Sequence, residues 1–240
     1  MRLMKRILSA AAVLALSASL LVGCSSGTAS SVPVSASSAA ESTVSSVEET
    51  ASSAVDENEA AAAQLLNDLT GSYQELWPVI LADEYKQTWL DDCTALVGED
   101  NAEAAFEKLS SMVTGDVYGE DAVKAYANGG GAYFCGFTNS LAILTFDGET
   151  STISGTDKDG NVLFSHAYHY IGMEPVRGLY EFESDDADSG EFTYFFLAPD
   201  TSAETYHIEF RYGSDAEALS QYDTGEYAYW LASGISTDCD

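Results

Sequence analysis

Positive charge is scarce in this sequence. Nine of its 240 residues are Lys or Arg and 39 are Asp or Glu, which gives a formal net charge of −30 at pH 7. Three of the basic residues lie within the first six positions, so the rest of the chain carries six basic and 39 acidic residues, a net charge of −33. Polyanions repel such a chain, which argues against nucleic acid and anionic lipid surfaces as partners.

Cysteine is also scarce, and its spacing excludes two common kinds of site. The chain has four cysteines, Cys24, Cys93, Cys135 and Cys239, and no Cys-x-x-Cys pair. A thiolate zinc motif and a thioredoxin-like redox pair are therefore excluded. Outside the cytoplasm, Cys93 and Cys135 can form a disulfide, and two buried free thiols are the alternative.

Catalytic motifs are missing as well. The sequence contains no Gly-x-Ser-x-Gly, no phosphate-binding loop and no His-Glu-x-x-His. His207 and Glu209 could act as an acid–base pair, but no nucleophile or substrate signal accompanies them. We therefore predict that the protein is not an enzyme.

The first 24 residues have the pattern of a secretory signal. A basic start, Met1 to Arg6, precedes an apolar run over residues 7–22, and the segment ends in Leu21-Val-Gly-Cys24. This ending resembles the lipobox of bacterial lipoproteins, which implies that Cys24 is the lipid-modified first residue of the mature protein. We expect a secreted protein, lipid-anchored to the outer face of the bacterial cell membrane.

The remainder divides into a tether and one domain. Residues 25–60 are nearly all Ser, Ala, Thr, Val and Glu, without a large aromatic side chain. Such a segment buries too little apolar surface to offset its ordering entropy, which predicts a disordered tether. Residues 61–240 are enough for a single domain with its own core.

Helical periodicity predicts helices over about 61–127, and short strands follow over about 132–212. The predicted helices are 59–69, 73–81 with a restart near Pro78, 83–96, 101–112 and 121–126. The predicted strands are 132–137, 141–146, 150–155, 162–171, 178–183, 191–197 and 206–212. Short strands joined by tight turns are typical of an up-and-down barrel, so we predict a mainly β fold with N-terminal helices. A capped helix and an aromatic tail complete it over 214–240.

The last predicted strand alternates without a break. Its apolar positions are Tyr206, Ile208, Phe210 and Tyr212, and its polar positions are His207, Glu209 and Arg211. The imidazole and the carboxylate are about 6–7 Å apart along such a strand. They can converge on one ion or small ligand, and an ordinary solvated polar face is the alternative.

The segment His207-Ile-Glu-Phe-Arg-Tyr-Gly-Ser-Asp215 resembles the ZinT (YodA) family of extracytoplasmic zinc-binding proteins. The likeness runs from Leu69 to Ile235 and is poor over 85–127. The other similar stretches, in order, are Leu69-Thr-Gly71 with Trp77-Pro78, Tyr168-His-Tyr-Ile-Gly172, Gly178-Leu-Tyr-Glu-Phe-Glu183 and Asp186-Ala-Asp-Ser-Gly190. The resemblance implies a lipocalin-like (calycin) barrel.

The resemblance also implies a zinc site in the barrel mouth, with fewer ligands than the family's three histidines. One of the family's histidine positions is His207 in this sequence, and another is occupied by Glu209. The remaining position falls on Leu197-Ala198, where no ligand exists. Imidazole and carboxylate both suit zinc, but a third donor is needed. The candidates for it are Glu181, Glu183, His169 and Asp200. Neutralisation of Glu209 by Arg211 would work against a cation.

Two functions follow from this resemblance. The first is zinc scavenging, with delivery of the ion to a metal-uptake transporter. The alternative is a lipocalin-like binding module for a small organic ligand that has lost the metal site.

Overall fold

A computed structural model describes residues 57–198 and 207–238. Eight antiparallel strands form a closed barrel, in which each strand pairs with the next along the chain and β8 pairs back with β1. The strands are β1 (Gly71–Glu75), β2 (Ile143–Asp147), β3 (Thr152–Thr156), β4 (Val162–Met173), β5 (Tyr180–Ser184), β6 (Tyr194–Leu197), β7 (His207–Gly213) and β8 (Ala232–Ser236). This architecture confirms the predicted lipocalin-like, up-and-down barrel.

Helices precede the barrel strands and lie between them along the chain. They are α1 (residues 57–68), α2 (Leu76–Ile80), α3 (Lys86–Val97), α4 (Glu99–Val113), α5 (Glu120–Ala127) and α6 (Ala216–Leu219). The predicted helices at 83–96, 101–112 and 121–126 are confirmed, and the cap of α6 is Asp215, whose side chain accepts from the Ala218 N–H at 3.0 Å. In the part of the chain that the structure describes, no helix has the length and apolar character needed to cross a bilayer.

The barrel interior is filled by aromatic rings. The centroids of Phe164 on β4 and Phe195 on β6 are 5.8 Å apart although β5 lies between their strands, so these rings meet inside the barrel. Phe195, Phe210 and Tyr212 stack on one another and are 0 % exposed, which leaves no room for a water molecule beside them. This interior is a packed core, as in other small barrels.

A second hydrophobic cluster lies outside the barrel wall. Successive residues of a strand point to opposite faces, and Gly234 of β8 lies opposite Ile208, which belongs to the interior core. Ile235 therefore points outward, where it packs with side chains of α2, α3 and α4. The other members of this cluster are Leu76, Trp77, Ile80, Trp89, Val113 and Cys135.

The barrel differs from the prediction in where it begins and ends. Residues 71–75 form β1 instead of the start of a helix, residues 232–236 form β8 instead of part of an unpaired tail, and 132–137 do not form a strand. Strands from both ends of the domain therefore belong to the barrel, which extends beyond residues 132–212. Both missed strands are five residues long, and the side chains of β8 are mostly small, so neither has a strong alternating pattern. Helix α1 also begins inside the predicted tether of residues 25–60.

Candidate metal-binding site

The two faces of β7 point to opposite sides of the barrel wall. Ile208, Phe210 and Tyr212 belong to the interior core. His207 and Glu209 point the other way, because His207 lies opposite the outward-facing Ile235. The imidazole and the carboxylate thus share a face, as the alternation predicts, but this face is the outer wall of the barrel and not its mouth. His207 is buried there and Glu209 is half-buried.

A buried thiol lies beside this outer face. Ser233 is the cross-strand neighbour of Glu209, and its N–H donates to the carbonyl of Cys135 at 3.0 Å. Burial, and next the charge of Glu209, raise the pKa of the Cys135 thiol to about 12. Cys93 and Cys135 are both buried free thiols in the structure, which is the alternative to a disulfide between them. Cys135 packs in the hydrophobic cluster outside the barrel wall.

Arg211 anchors the C-terminal segment to the outer wall. Its guanidinium is fully buried and donates to backbone carbonyls of that segment. The acceptors are the carbonyls of Leu219, Gln221 (3.3 Å) and Tyr227. The same guanidinium lies 4.3 Å from the centroid of the Tyr222 ring. Burial lowers the pKa of Arg211 to about 10.

The turn between β4 and β5 brings a second arginine to the same ring. The Arg177 guanidinium lies 4.5 Å from the centroid of Tyr222 and 6.0 Å from that of Tyr133. Glu174 holds the turn, because its carboxylate accepts from the N–H groups of Val176 and Arg177 at 2.6 and 2.7 Å and from the Tyr222 hydroxyl at 3.3 Å. Arg177 therefore lies next to the face that carries Arg211 and Glu209.

The predicted third ligands lie elsewhere. Glu181 pairs with Phe196, which pairs with Arg211, so Glu181 is two strands, about 9–10 Å, from β7. Burial, and next the charge of Glu174, raise the pKa of Glu181. Glu183 accepts from the Tyr194 hydroxyl at 3.2 Å.

His169 lies opposite Glu183 on the outer wall, where its Nδ1 is 2.7 Å from a carboxylate oxygen of Asp185. Asp200 and Cys24 lie outside the described residues. Within residues 57–198 and 207–238, no three or more His, Cys, Asp or Glu side chains are arranged to hold a metal ion. His207 and Glu209 share a face, but the described residues supply no third donor beside them, and a protein zinc site requires at least three protein ligands.

Two residues of this region, Arg177 and Glu174, are not indicated by the sequence patterns. They lie in the turn between β4 and β5, where periodicity says nothing about contacts. Away from this region, His166 pairs with Asp186 at 2.7 Å, on the same face of β4 as Tyr168. The scarcity of positive charge could have directed attention to Arg177, since Arg177 and Arg211 are the only arginines after Arg6.

Neither a protein-family model nor a curated protein matches this sequence. Among solved structures, the chain is similar to zinc(II)-bound AdcA from Streptococcus pneumoniae and to the zinc(II)-bound ZinT-like domain of that protein, with 16% identity in both cases. The TM-scores are 0.45 and 0.46, and each match covers 73% of this chain. The chain spans 33% of the length of AdcA and 84% of the isolated domain. At this identity the likeness is one of fold and says nothing about the ligands of this chain.

Proposed function

We propose that this protein is an extracytoplasmic metal-binding protein, lipid-anchored through Cys24, that captures zinc or a similar divalent ion and delivers it to an uptake system. The observation that carries the proposal is the placement of His207 and Glu209 on one sheltered face of β7. The resemblance of the segment around these residues to the ZinT family supports zinc as the ion.

The chemistry of the two side chains suits this role. Neutral imidazole nitrogen and carboxylate oxygen are both common zinc ligands, and a site that exchanges its ion keeps positions open for water or another ligand. Water or a molecule bound with the ion would complete the coordination. The chain's large negative charge enriches cations near its surface without selecting among them.

The alternative, a small organic ligand inside the barrel, is disfavoured by the packing of the interior. Phe195, Phe210 and Tyr212 occupy the space that such a ligand would need. We also propose that the protein is a carrier and not a catalyst, because a His–Glu pair without a nucleophile suits ion capture better than turnover.

Equilibrium dialysis of residues 25–240 against zinc, with elemental analysis, tests the metal-binding role. We expect about one ion per chain, with binding at least tenfold weaker in His207→Ala and in Glu209→Gln. His169→Ala is the matched control, because it removes an imidazole from the same outer wall at a position paired with Asp185. A stoichiometry well below one, or equal binding in His207→Ala, would overturn the proposal.

The anchor is tested separately in cells. Cys24→Ala in the full-length chain should move the protein from the membrane fraction to the soluble extracytoplasmic fraction. Continued membrane association of this variant would contradict the lipid anchor without bearing on metal binding.

A further inference from the structure

Exposed apolar side chains lie close together where β4 passes into the turn before β5. Ile171, Met173 and Val176 are 40, 42 and 65 % exposed. Arg177 follows them in the turn and is exposed as well. We call these four residues the β4–β5 rim. Exposed apolar side chains beside a guanidinium are the pattern of a surface that contacts another molecule or a membrane.

The carboxylate of this turn is directed into the protein, away from the rim. Glu174 is 0 % exposed and accepts hydrogen bonds from the N–H groups of Val176 and Arg177 and from the Tyr222 hydroxyl. Within residues 57–198 and 207–238, Arg177 has no carboxylate within ion-pair distance. Its guanidinium lies over the rings of Tyr222 and Tyr133 and keeps N–H donors for an anionic group outside the chain.

The opposite end of β4 has a different combination of charges. Val162 and Leu163 are 70 and 37 % exposed there. The cation closest to them in sequence, Lys158, is flanked by Asp157 and Asp159. The two ends of β4 are about 36 Å apart along the strand. Only one end of this long strand therefore joins exposed apolar side chains to a cation without adjacent acidic residues in the turn surface.

Helix α1 lies at the same end of the barrel as the rim. Successive turns of an up-and-down barrel alternate between its two ends, so the β2–β3 and β4–β5 turns share one end. The Gly148 N–H of the β2–β3 turn donates to the hydroxyl of Thr70, just after α1, at 3.0 Å. Burial raises the pKa of Tyr170, the neighbour of Ile171, and the charge of Glu59 in the first turn of α1 contributes. The chain that leads from Cys24 therefore enters the domain beside the rim.

We propose that the β4–β5 rim rests on the outer surface of the membrane that holds the lipid anchor, with its apolar side chains among the headgroups and Arg177 on a lipid phosphate. The inference rests on the proposed anchor at Cys24 and is independent of metal binding. Three apolar side chains and one guanidinium bind a bilayer weakly by themselves, so the docking depends on the effective concentration that the anchor supplies. A strongly acidic domain held at a negatively charged surface turns a face with a cation towards it.

Hydroxyl-radical footprinting of the full-length, lipid-modified chain tests this inference. The chain is reconstituted in vesicles of phosphatidylcholine and phosphatidylglycerol at four to one, and peptide mass spectrometry locates the oxidised residues. The reference is the Cys24→Ala chain mixed with the same vesicles. We expect Met173 and Val176 to be oxidised about threefold more slowly in the anchored chain. Val162 and Leu163 should be oxidised at equal rates in both.

Val176→Asp is the informative variant. It replaces the most exposed apolar side chain of the rim by a charge and keeps the backbone N–H that donates to Glu174. The ratio of docked to undocked domain, calculated from the oxidation rate of Met173, should fall by about tenfold, because one apolar side chain no longer enters the headgroup region. Val162→Asp is the matched control, since it makes the same change at a valine that is 70 % exposed at the other end of β4. Equal urea midpoints of the two variants verify that both are folded.

The outcomes separate this inference from the anchor. Equal oxidation of Met173 and Val176 in a chain that stays on the vesicles would overturn the docking and leave the anchor standing. Protection of Val162 and Leu163 instead would overturn it as well, because the opposite end would then face the lipid. Protection of the rim in the Cys24→Ala chain that grows with protein concentration would show that a second copy covers it, and would also overturn the proposal. A lipid-modified chain that does not stay on the vesicles would overturn the anchor and the docking together.

Discussion

Replacement of Arg211 by Met tests whether one buried guanidinium fixes the C-terminal segment to the barrel. The substitution keeps a long, flexible side chain and removes the donors to the carbonyls of Leu219, Gln221 and Tyr227. A buried carbonyl that loses its donor costs about 1–3 kcal/mol, so three of them cost about 3–9 kcal/mol. An opposing term comes from the burial that lowers the pKa of Arg211 to about 10. An uncharged side chain relieves that desolvation, by about 3 kcal/mol. We expect a net loss of about 3 kcal/mol in the free energy of unfolding.

Urea unfolding followed by tryptophan fluorescence measures this loss. The indole N–H of Trp230 donates to the Gly136 carbonyl at 2.9 Å, so its environment reports on the same segment. Hydrogen exchange should accelerate locally, above all at the Tyr229 N–H, which donates to the Tyr222 carbonyl at 2.8 Å. Arg177→Met is the control, because it loses a partly exposed cation–π contact worth about 0.5–1 kcal/mol. If the two variants differ by less than about 1 kcal/mol, the anchoring role of Arg211 is refuted.

Three further predictions concern other parts of the molecule. Burial raises the pKa of Cys135 to about 12, so few thiolates are present at neutral pH. Alkylation of Cys135 by iodoacetamide in the native protein should therefore be slow at pH 8 and should keep accelerating well above pH 9. Peptide mass spectrometry that finds a Cys93–Cys135 disulfide would contradict the presence of a free thiol. Gly148→Ala should lower the free energy of unfolding, measured in a thermal or urea melt, by about 1–3 kcal/mol, because a Cβ there would lie 2.4 Å from the Asn67 Cα. Gly130→Ala is the control that we expect to be tolerated, because the nearest atom to its Cβ would be 3.5 Å away. Zinc retention should fall as the pH drops from 8 to 5, since His207 must be neutral to coordinate, and retention that is unchanged at pH 5 would exclude an imidazole ligand.

The strands that sequence predicts are those with strong alternation. Strands β2 to β7 overlap runs predicted as strands, most of which are rich in aromatic or branched residues and are bounded by turn signals. The closing strands have no such signal, since β1 has one buried residue, Tyr73, and β8 contains Ala232 and Gly234 at its inward positions. Their place is decided by pairing with each other, a contact between residues about 160 positions apart in the chain. Single-sequence periodicity carries no information about such a pairing.

The orientation of β7 shows a second limit. Alternation divides its side chains into two sets, but both sets are buried or half-buried in the fold. Arg211 of the polar set is covered from outside by α6 and the C-terminal segment, and His207 is buried as well. A pattern of polar and apolar residues separates the faces of a strand, yet it does not say whether the polar face meets solvent, a lumen or another layer of protein. The mouth of the barrel and its outer wall are therefore equivalent predictions for His207 and Glu209 until the covering segment is known.

The way in which the fold holds its two arginines explains why the positive charge at this wall does not depend on acidic neighbours. Arg211 is fixed by carbonyl dipoles and Arg177 by the rings of Tyr222 and Tyr133. Contacts of these kinds depend on a flat, multidentate cation, so lysine would not replace arginine at either position. They are also short-ranged and partly buried, so they persist at about 1 M salt, where the Debye length of about 3 Å screens the acidic surface of the rest of the chain. The positive charge of Arg177 and Arg211 thus differs from the acidic surface in the way it is held as well as in sign, since packing places both guanidinium groups.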